Sequence, residues 1–457
     1  MSVRAHLRRG VARASRPFSR VHADEVGIVA LMTLTTFLLL TAYYLLKTVR
    51  EPLILLQGGA EMKLYARAGQ AVLMVGVVHL YGELARRVGR VRLLSIVFLF
   101  FISNLAIFAV LAKSNVPIGL AFFLWVGVFS YTVIAQFWGL AADIYSEDQG
   151  KRLFPIIGGG SSIGAVLGGL FAKALVPFGP PVLMGTAVVI LLACVVLITL
   201  IERHVPHEAV AHDEAHPDKP IANESAWQLL SRDRYLWFIA GMAILLNWVN
   251  SSGEYVLDRT LLVAAKAAAV HGVSSQTFIG SFKADYYFWY NAIGVALQLF
   301  AVSRILRAAG VRGALLVMPA FALGAYGVAM FMPVLAVMRI VKIGENSLQY
   351  SLQDTTRHAL FLVTSRAEKF VGKTAVDTIA VRVGAILAAL MTFLGTRLGW
   401  PTRTFVILNV GLALGWMGFV LLIGREHRRR ADAAAAPRAW VSAPSIESAS
   451  APPARAA

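Results

Sequence analysis

Hydrophobic residues in this chain fall into about twelve runs, each near the ~20 residues a helix needs to cross a bilayer. Backbone groups in lipid must be bonded internally, so the runs predict helices. The third run (Leu93 to Ala112), sixth (Val182 to Ile201), ninth (Ala314 to Val337) and twelfth (Phe405 to Gly424) contain no Asp, Glu, Lys or Arg. The first, fourth, seventh, tenth and eleventh carry charge inside the apolar stretch or near its ends. A charge at the centre of a span costs about 2.5–3.5 kcal/mol even on the mildest scale, so such residues face a polar cavity or a partner. A period of three, kept through two sets of six, predicts a polar centre with the four charge-free helices outside it. The expected fold class is an all-α membrane protein of about twelve transmembrane helices in two six-helix bundles.

Composition agrees: 58% of the residues are hydrophobic. The net charge of +18 could point to nucleic acid, but its distribution points to a membrane. Arg4, Arg8, Arg9, Arg13, Arg16 and Arg20 precede the first span, and Arg86, Arg87, Arg90 and Arg92 fill the second connection. Lys151 and Arg152 follow the fourth span, and Arg425, Arg428, Arg429 and Arg430 follow the last. With alternating spans these all fall on one side, which predicts cytoplasmic termini in a bacterial inner membrane. The single cysteine, Cys194, lies in a charge-free span and offers neither a disulfide nor a cysteine metal site.

The expected organisation is a basic N-terminus (1–25), a first bundle (26–203), a cytoplasmic linker (204–234), a second bundle (235–425) and a disordered tail (426–457). The linker holds His204, His207, His212 and His216, without the spacing of a metal site. Weak internal similarity suggests duplication. Lys47 and Glu51 stand four apart in the first span, and Glu254 and Asp258 four apart in the seventh. Parallel repeats of six spans are the major-facilitator arrangement, with substrate at the interface of the halves.

Lys47, Arg50 and Glu51 share one helical face, because residues three and four apart are neighbours. In the seventh span, Glu254 and Asp258 are like charges one turn apart, which calls for cations from elsewhere. The tenth span repeats polar residues at Arg339, Lys342, Asn346, Gln349 and Gln353, with Glu345 beside them. Such a stripe lines a cavity. Arg382, in the eleventh span, is a further candidate cation. The substrate-binding set expected from the sequence is therefore Lys47, Arg50, Glu254, Asp258, Arg339, Lys342, Glu345, Asn346, Gln349 and Arg382.

Gly158, Gly159, Gly160 and Gly164 resemble a phosphate loop but lack the Lys-Ser or Lys-Thr that completes one. Gly160, Gly164 and Gly168, four apart, predict close helix packing instead. No zinc pattern, nucleophile elbow or Ser/His/Asp constellation stands out, so no enzyme activity, metal or cofactor is expected.

Several segments resemble the ATP/ADP translocases of intracellular bacteria and plastids. They are Tyr43-Tyr44-Leu45-Leu46-Lys47-Thr48-Val49-Arg50-Glu51; Phe137-Trp138-Gly139-Leu140-Ala141-Ala142-Asp143 with Lys151-Arg152-Leu153-Phe154; and Tyr350-Ser351-Leu352 followed by Gly372-Lys373-Thr374-Ala375-Val376-Asp377. The resemblance implies a nucleotide antiporter, with Lys47 matching the family's first-span lysine and Glu254 its seventh-span glutamate. Val126 stands where the family has a fourth-span glutamate, and Ala385 where it has a late lysine, with Arg382 nearby. The implied partners are ATP/ADP-type substrates and membrane lipids, with no nucleic acid and no oligomer required. The alternatives that the residues leave open are a proton- or exchange-coupled carrier of another organic anion, and a non-transporting membrane scaffold.

Overall fold

The computed structural model describes residues 21–22, 25–87, 90–114, 116–204, 232–361, 364, 373 and 376–435. Residues 1–20 of the basic N-terminus, linker residues 205–231 with His207, His212 and His216, and the tail beyond Ala435 lie outside the described residues, as does most of the Gly372-Lys373-Thr374 segment; the first ten residues of the expected tail continue the last helix. Among the described residues every regular element is helical.

Helix α1 (Val26–Arg87) is two spans joined at Gly59, whose φ of 74° lies in the left-handed region. That conformation favours glycine and lets the chain reverse without a separate loop. Next come α2 (Arg90–Lys113), α3 (Gly119–Ile144), α4 (Glu147–Leu175) and α5 (Pro180–His204). The second half comprises α6 (Arg234–Val270), α7 (Ser275–Phe300), α8 (Val302–Phe331), α9 (Leu335–Leu348), α10 (Asp354–Leu360), α11 (Val381–Arg397) and α12 (Thr402–Ala435). Among the described residues nine helices are long and apolar enough to cross a membrane. One of the nine is the doubled α1. Two further spans complete the twelve: α7, whose interior carries Lys283 and Asp285, and the run of α9 and α10 through a π-helical turn at Gln349–Gln353.

The first half packs one core, from Val29 on α1 to Ile201 on α5. A second core runs from Tyr235 on α6 to Ile423 on α12 and takes in Tyr44, Ile54, Leu55, Leu64, Phe123 and Ala165 from the first half. The three spaced glycines make the α1–α4 contact. A Cβ at Gly160 would sit 2.6 Å from the Thr33 carbonyl oxygen, and one at Gly164 would collide with the Phe37 carbonyl. Lipid supplies no hydrophobic drive between helices, so close backbone approach of this kind holds spans together.

The charge-free runs expose apolar side chains: Phe100 and Val110 on α2, Val189 on α5, Phe331 on α8 and Leu414 on α12. In a bilayer those faces meet acyl chains.

Ser146 opens α4 with a capping box. The Gln149 amide donates to the Ser146 hydroxyl, and the Ser146 amide donates to the Gln149 side chain. At the same end Arg152 donates to Glu25 (2.9 Å), while the start of α6 meets the end of α12 through Tyr235 and His427 (2.9 Å). We call this the terminal end of the bundle and the opposite one the far end.

Candidate functional site

The described contacts between the halves gather toward the far end. Tyr44 meets Tyr290 and Asn291, Glu61 accepts from Tyr255, Tyr65 packs on Phe393, and Lys173 pairs with Asp285. Gly169 on α4 lets the α7 backbone approach at Phe288, where a Cβ would sit 2.9 Å from the amide nitrogen.

At the heart of this seam lies a buried charge cluster. Glu51 and Lys63 come from the two arms of α1, either side of the Gly59 turn. Glu254 and Asp258 come from α6, one turn apart as the sequence requires, and Lys283 comes from α7. The Lys63 ammonium reaches all three carboxylates, with Glu51 at 2.5 Å, Asp258 at 2.6 Å and Glu254 at 3.0 Å. Lys283 does the same, with Asp258 at 2.6 Å, Glu254 at 3.1 Å and Glu51 at 3.4 Å. Arg50 adds a third cation, donating to Glu51 at 3.2 Å while its guanidinium lies over the Phe123 ring. Three cations thus face three carboxylates. The carboxylate oxygens of Glu51, Glu254 and Asp258 lie within 4.8 Å of one another, close enough to share a cation. The two lysine ammonium groups already fill that role. Removing one partner of a buried group of this kind is costly, about 3–5 kcal/mol, because the charge left behind is uncompensated.

A second balanced pair lies on α9. Lys342 is fully buried, 2.7 Å from Glu345, and also donates to the Asn250 carbonyl and side chain. Tyr326 on α8 donates to Glu345 (2.8 Å). Asn346 donates to the Tyr286 hydroxyl, and Asn250 donates to Gln349 (2.9 Å).

Lys47 is different. Its ammonium donates to the Tyr290 hydroxyl (2.8 Å) and lies over four tyrosine rings: Tyr287 at 4.6 Å, Tyr44 at 5.2 Å, Tyr290 at 5.4 Å and Tyr43 at 5.8 Å from the centroids. Among the described residues it pairs with no carboxylate. Aromatic faces stabilise a cation without cancelling its charge. Arg67 and Arg382 are also half-buried with no ion pair among the described residues.

The structure thus brings Arg50, Glu254 and Asp258 into the seam cluster. It joins Lys342, Glu345, Asn346 and Gln349 in the α9 network and sets Lys47 apart in the tyrosine cage. Arg339 leaves the stripe. It points to Asp285 on α7 (3.7 Å) and over the Phe282 ring, near the far end. Lys63, Lys283 and the tyrosines Tyr286, Tyr287 and Tyr290 were not singled out in the sequence.

The family model described as Major Facilitator Superfamily matches residues 32–360. The chain belongs to that superfamily. Its arrangement is shared with solved transporters at low identity. A bacterial homologue of the human lysosomal transporter Spinster, in an inward-facing and unoccupied conformation, is 14% identical; the match covers 89% of this chain and 98% of that one with a TM-score of 0.61. The nucleoside transporter NupG is 10% identical over 88% of this chain and 98% of its own, with a TM-score of 0.60. The POT-family transporter PepTSo is 10% identical over 88% and 98%, with a TM-score of 0.62. No curated protein sequence matches the chain. This major-facilitator chain is therefore a multi-pass membrane transporter by family, and its seam lies where the superfamily's two halves meet.

Proposed function

We propose that the chain is a nucleotide antiporter of the ATP/ADP type, working by alternating access, with its terminal end in the cytoplasm. The observation that carries this reading is Lys47. It is a cation at the meeting of the halves with no carboxylate contact, framed by tyrosine rings. Phosphate oxygens gain charge-assisted bonds from such a cation. Arg67 and Arg382 are half-buried cations available to a second and third phosphate. The seam charges have another task in this reading. They neutralise one another, so they hold the far end shut while substrate enters from the terminal end. Breaking and remaking that cluster is the rocking motion of the halves.

The experiment is counterflow in reconstituted vesicles. Labelled ATP should enter only vesicles preloaded with ADP or ATP. A second reading rests on the three seam carboxylates, which could carry a proton alongside another organic anion. Uptake of a smaller anion that needs a pH gradient and ignores nucleotide would select that one.

A further inference from the structure

Opening the far end divides the seam cluster along the boundary between the halves. Arg50, Glu51 and Lys63 all belong to α1. Glu254 and Asp258 belong to α6, and Lys283 to α7. Lys63 would leave Asp258 (2.6 Å) and Glu254 (3.0 Å) and keep Glu51 (2.5 Å). Arg50 also holds Glu51, at 3.2 Å, and among the described residues it pairs with no carboxylate of the second half. The first half would then present two cations to one carboxylate. The second half would keep Lys283 between Glu254 and Asp258. The positive surplus of the opened cluster therefore lies on α1.

The position of that surplus along α1 matters as much as its sign. The first arm runs from Val26 at the terminal end to the Gly59 turn at the far end. Lys47 and Arg50 share one helical face, and the four residues from Lys47 to Glu51 advance about 6 Å toward the far end. The Lys63 and Arg50 side chains are 3% and 11% exposed, so in this conformation carboxylates meet their charge. Lys47 meets only tyrosines among the described residues. We infer that Arg50 and Lys63 form a second phosphate site, about one turn beyond Lys47, which takes the substrate's phosphates when the far end is open. This site presupposes the nucleotide antiport proposed above. Phosphate oxygens would replace Glu254 and Asp258 on Lys63, one set of charge-assisted bonds for another. Closing the far end then requires the two carboxylates to displace the phosphates, which returns them toward Lys47.

Sided exchange is the test. Spheroplasts of an expressing bacterium present the far end to the medium, and inverted membrane vesicles present the terminal end. The readout is the ATP concentration that half-saturates exchange from each side. Arg50→Gln should raise the far-side value about tenfold, the scale of one hydrogen bond to a charged group, with a smaller change on the terminal side. Asp258→Asn removes a cross-seam partner of Lys63 but no cation. It should lower the far-side value, because less of the protein is held closed at that end. Lys63→Gln breaks the same tie. If Lys63 were a lock alone, this variant would lower the far-side value too; as a phosphate ligand, its loss should leave the value about tenfold above that of Asp258→Asn. Lys63→Arg should recover part of the difference. Equal far-side values for Lys63→Gln and Asp258→Asn, or a wild-type far-side value in Arg50→Gln, would overturn the second site and leave nucleotide antiport standing. No exchange by the wild type from either side would overturn the antiport, and the second site with it.

Discussion

Lys63 crosses the seam to Asp258, with its ammonium 2.6 Å from the carboxylate of the opposite half. Both side chains are buried, and the same ammonium holds Glu51 on its own helix. One lysine therefore ties the turn between the first two spans to the seventh. Lys283 repeats the tie from the other side.

Lys63→Met should loosen this lock. Three carboxylates would then share Lys283 and Arg50. A loss of even 1 kcal/mol shifts the balance of closed and open far ends about fivefold. Tyr65→Cys provides the readout, because Tyr65 packs across the seam on Phe393 and the native Cys194 is buried. An impermeant maleimide should label position 65 several times faster in the Lys63→Met background. Equal rates in both backgrounds would mean that the cluster does not hold the far end closed.

How much of this was legible in the sequence follows from how each charge is held. Glu254 and Asp258 announced a need for cations by being like charges one turn apart. The cations that answer, Lys63 and Lys283, each stand in a helix without a polar stripe, and only the seam brings them together. The sequence signal for Lys63 is a lone lysine just beyond Gly58-Gly59, within reach of acids that lack a partner in their own helix. The tenth-span stripe was legible only in its middle. Lys342 and Glu345 satisfy each other within one helix, and the π-helical turn at Gln349–Gln353 changes the register below them. Arg339 lies near the helix end, where a long side chain can turn away toward Asp285. The spacing of Gly160, Gly164 and Gly168 was legible because helix contact needs only local periodicity.

Gly164→Leu should destabilise the first bundle, because its new side chain would collide with the Phe37 carbonyl. Overpacking of this kind costs about 1–3 kcal/mol. Gly185→Leu is the control, since nothing lies within 4 Å of a Cβ there. Thermal unfolding in detergent should show a lower midpoint for the first variant only. Equal midpoints would remove the glycines from the α1–α4 contact.

Glu25 gives a pH dependence with a defined sign. Burial works to raise its pKa, but the Arg152 guanidinium and His22 outweigh it and hold the carboxyl at about 2, below its ordinary 4.5. A depressed carboxylate contributes stability that is full above its unfolded pKa and is lost as pH falls toward the folded one. Glu25→Gln should therefore be less stable than wild type at pH 7. The gap between the two should narrow from about pH 4.5 downward to about pH 2. Unfolding midpoints measured along that range check it, and a gap that stays constant would remove Glu25–Arg152 as its source.

Counterflow of labelled ATP in wild-type and Lys47→Gln vesicles tests the central claim most directly. The wild type should accumulate label only against internal ADP or ATP. Lys47→Gln should lose about tenfold or more of that exchange while keeping the unfolding midpoint of the wild type. Exchange at the wild-type rate in Lys47→Gln, or no nucleotide exchange in the wild type alongside robust exchange of a smaller anion, would contradict it.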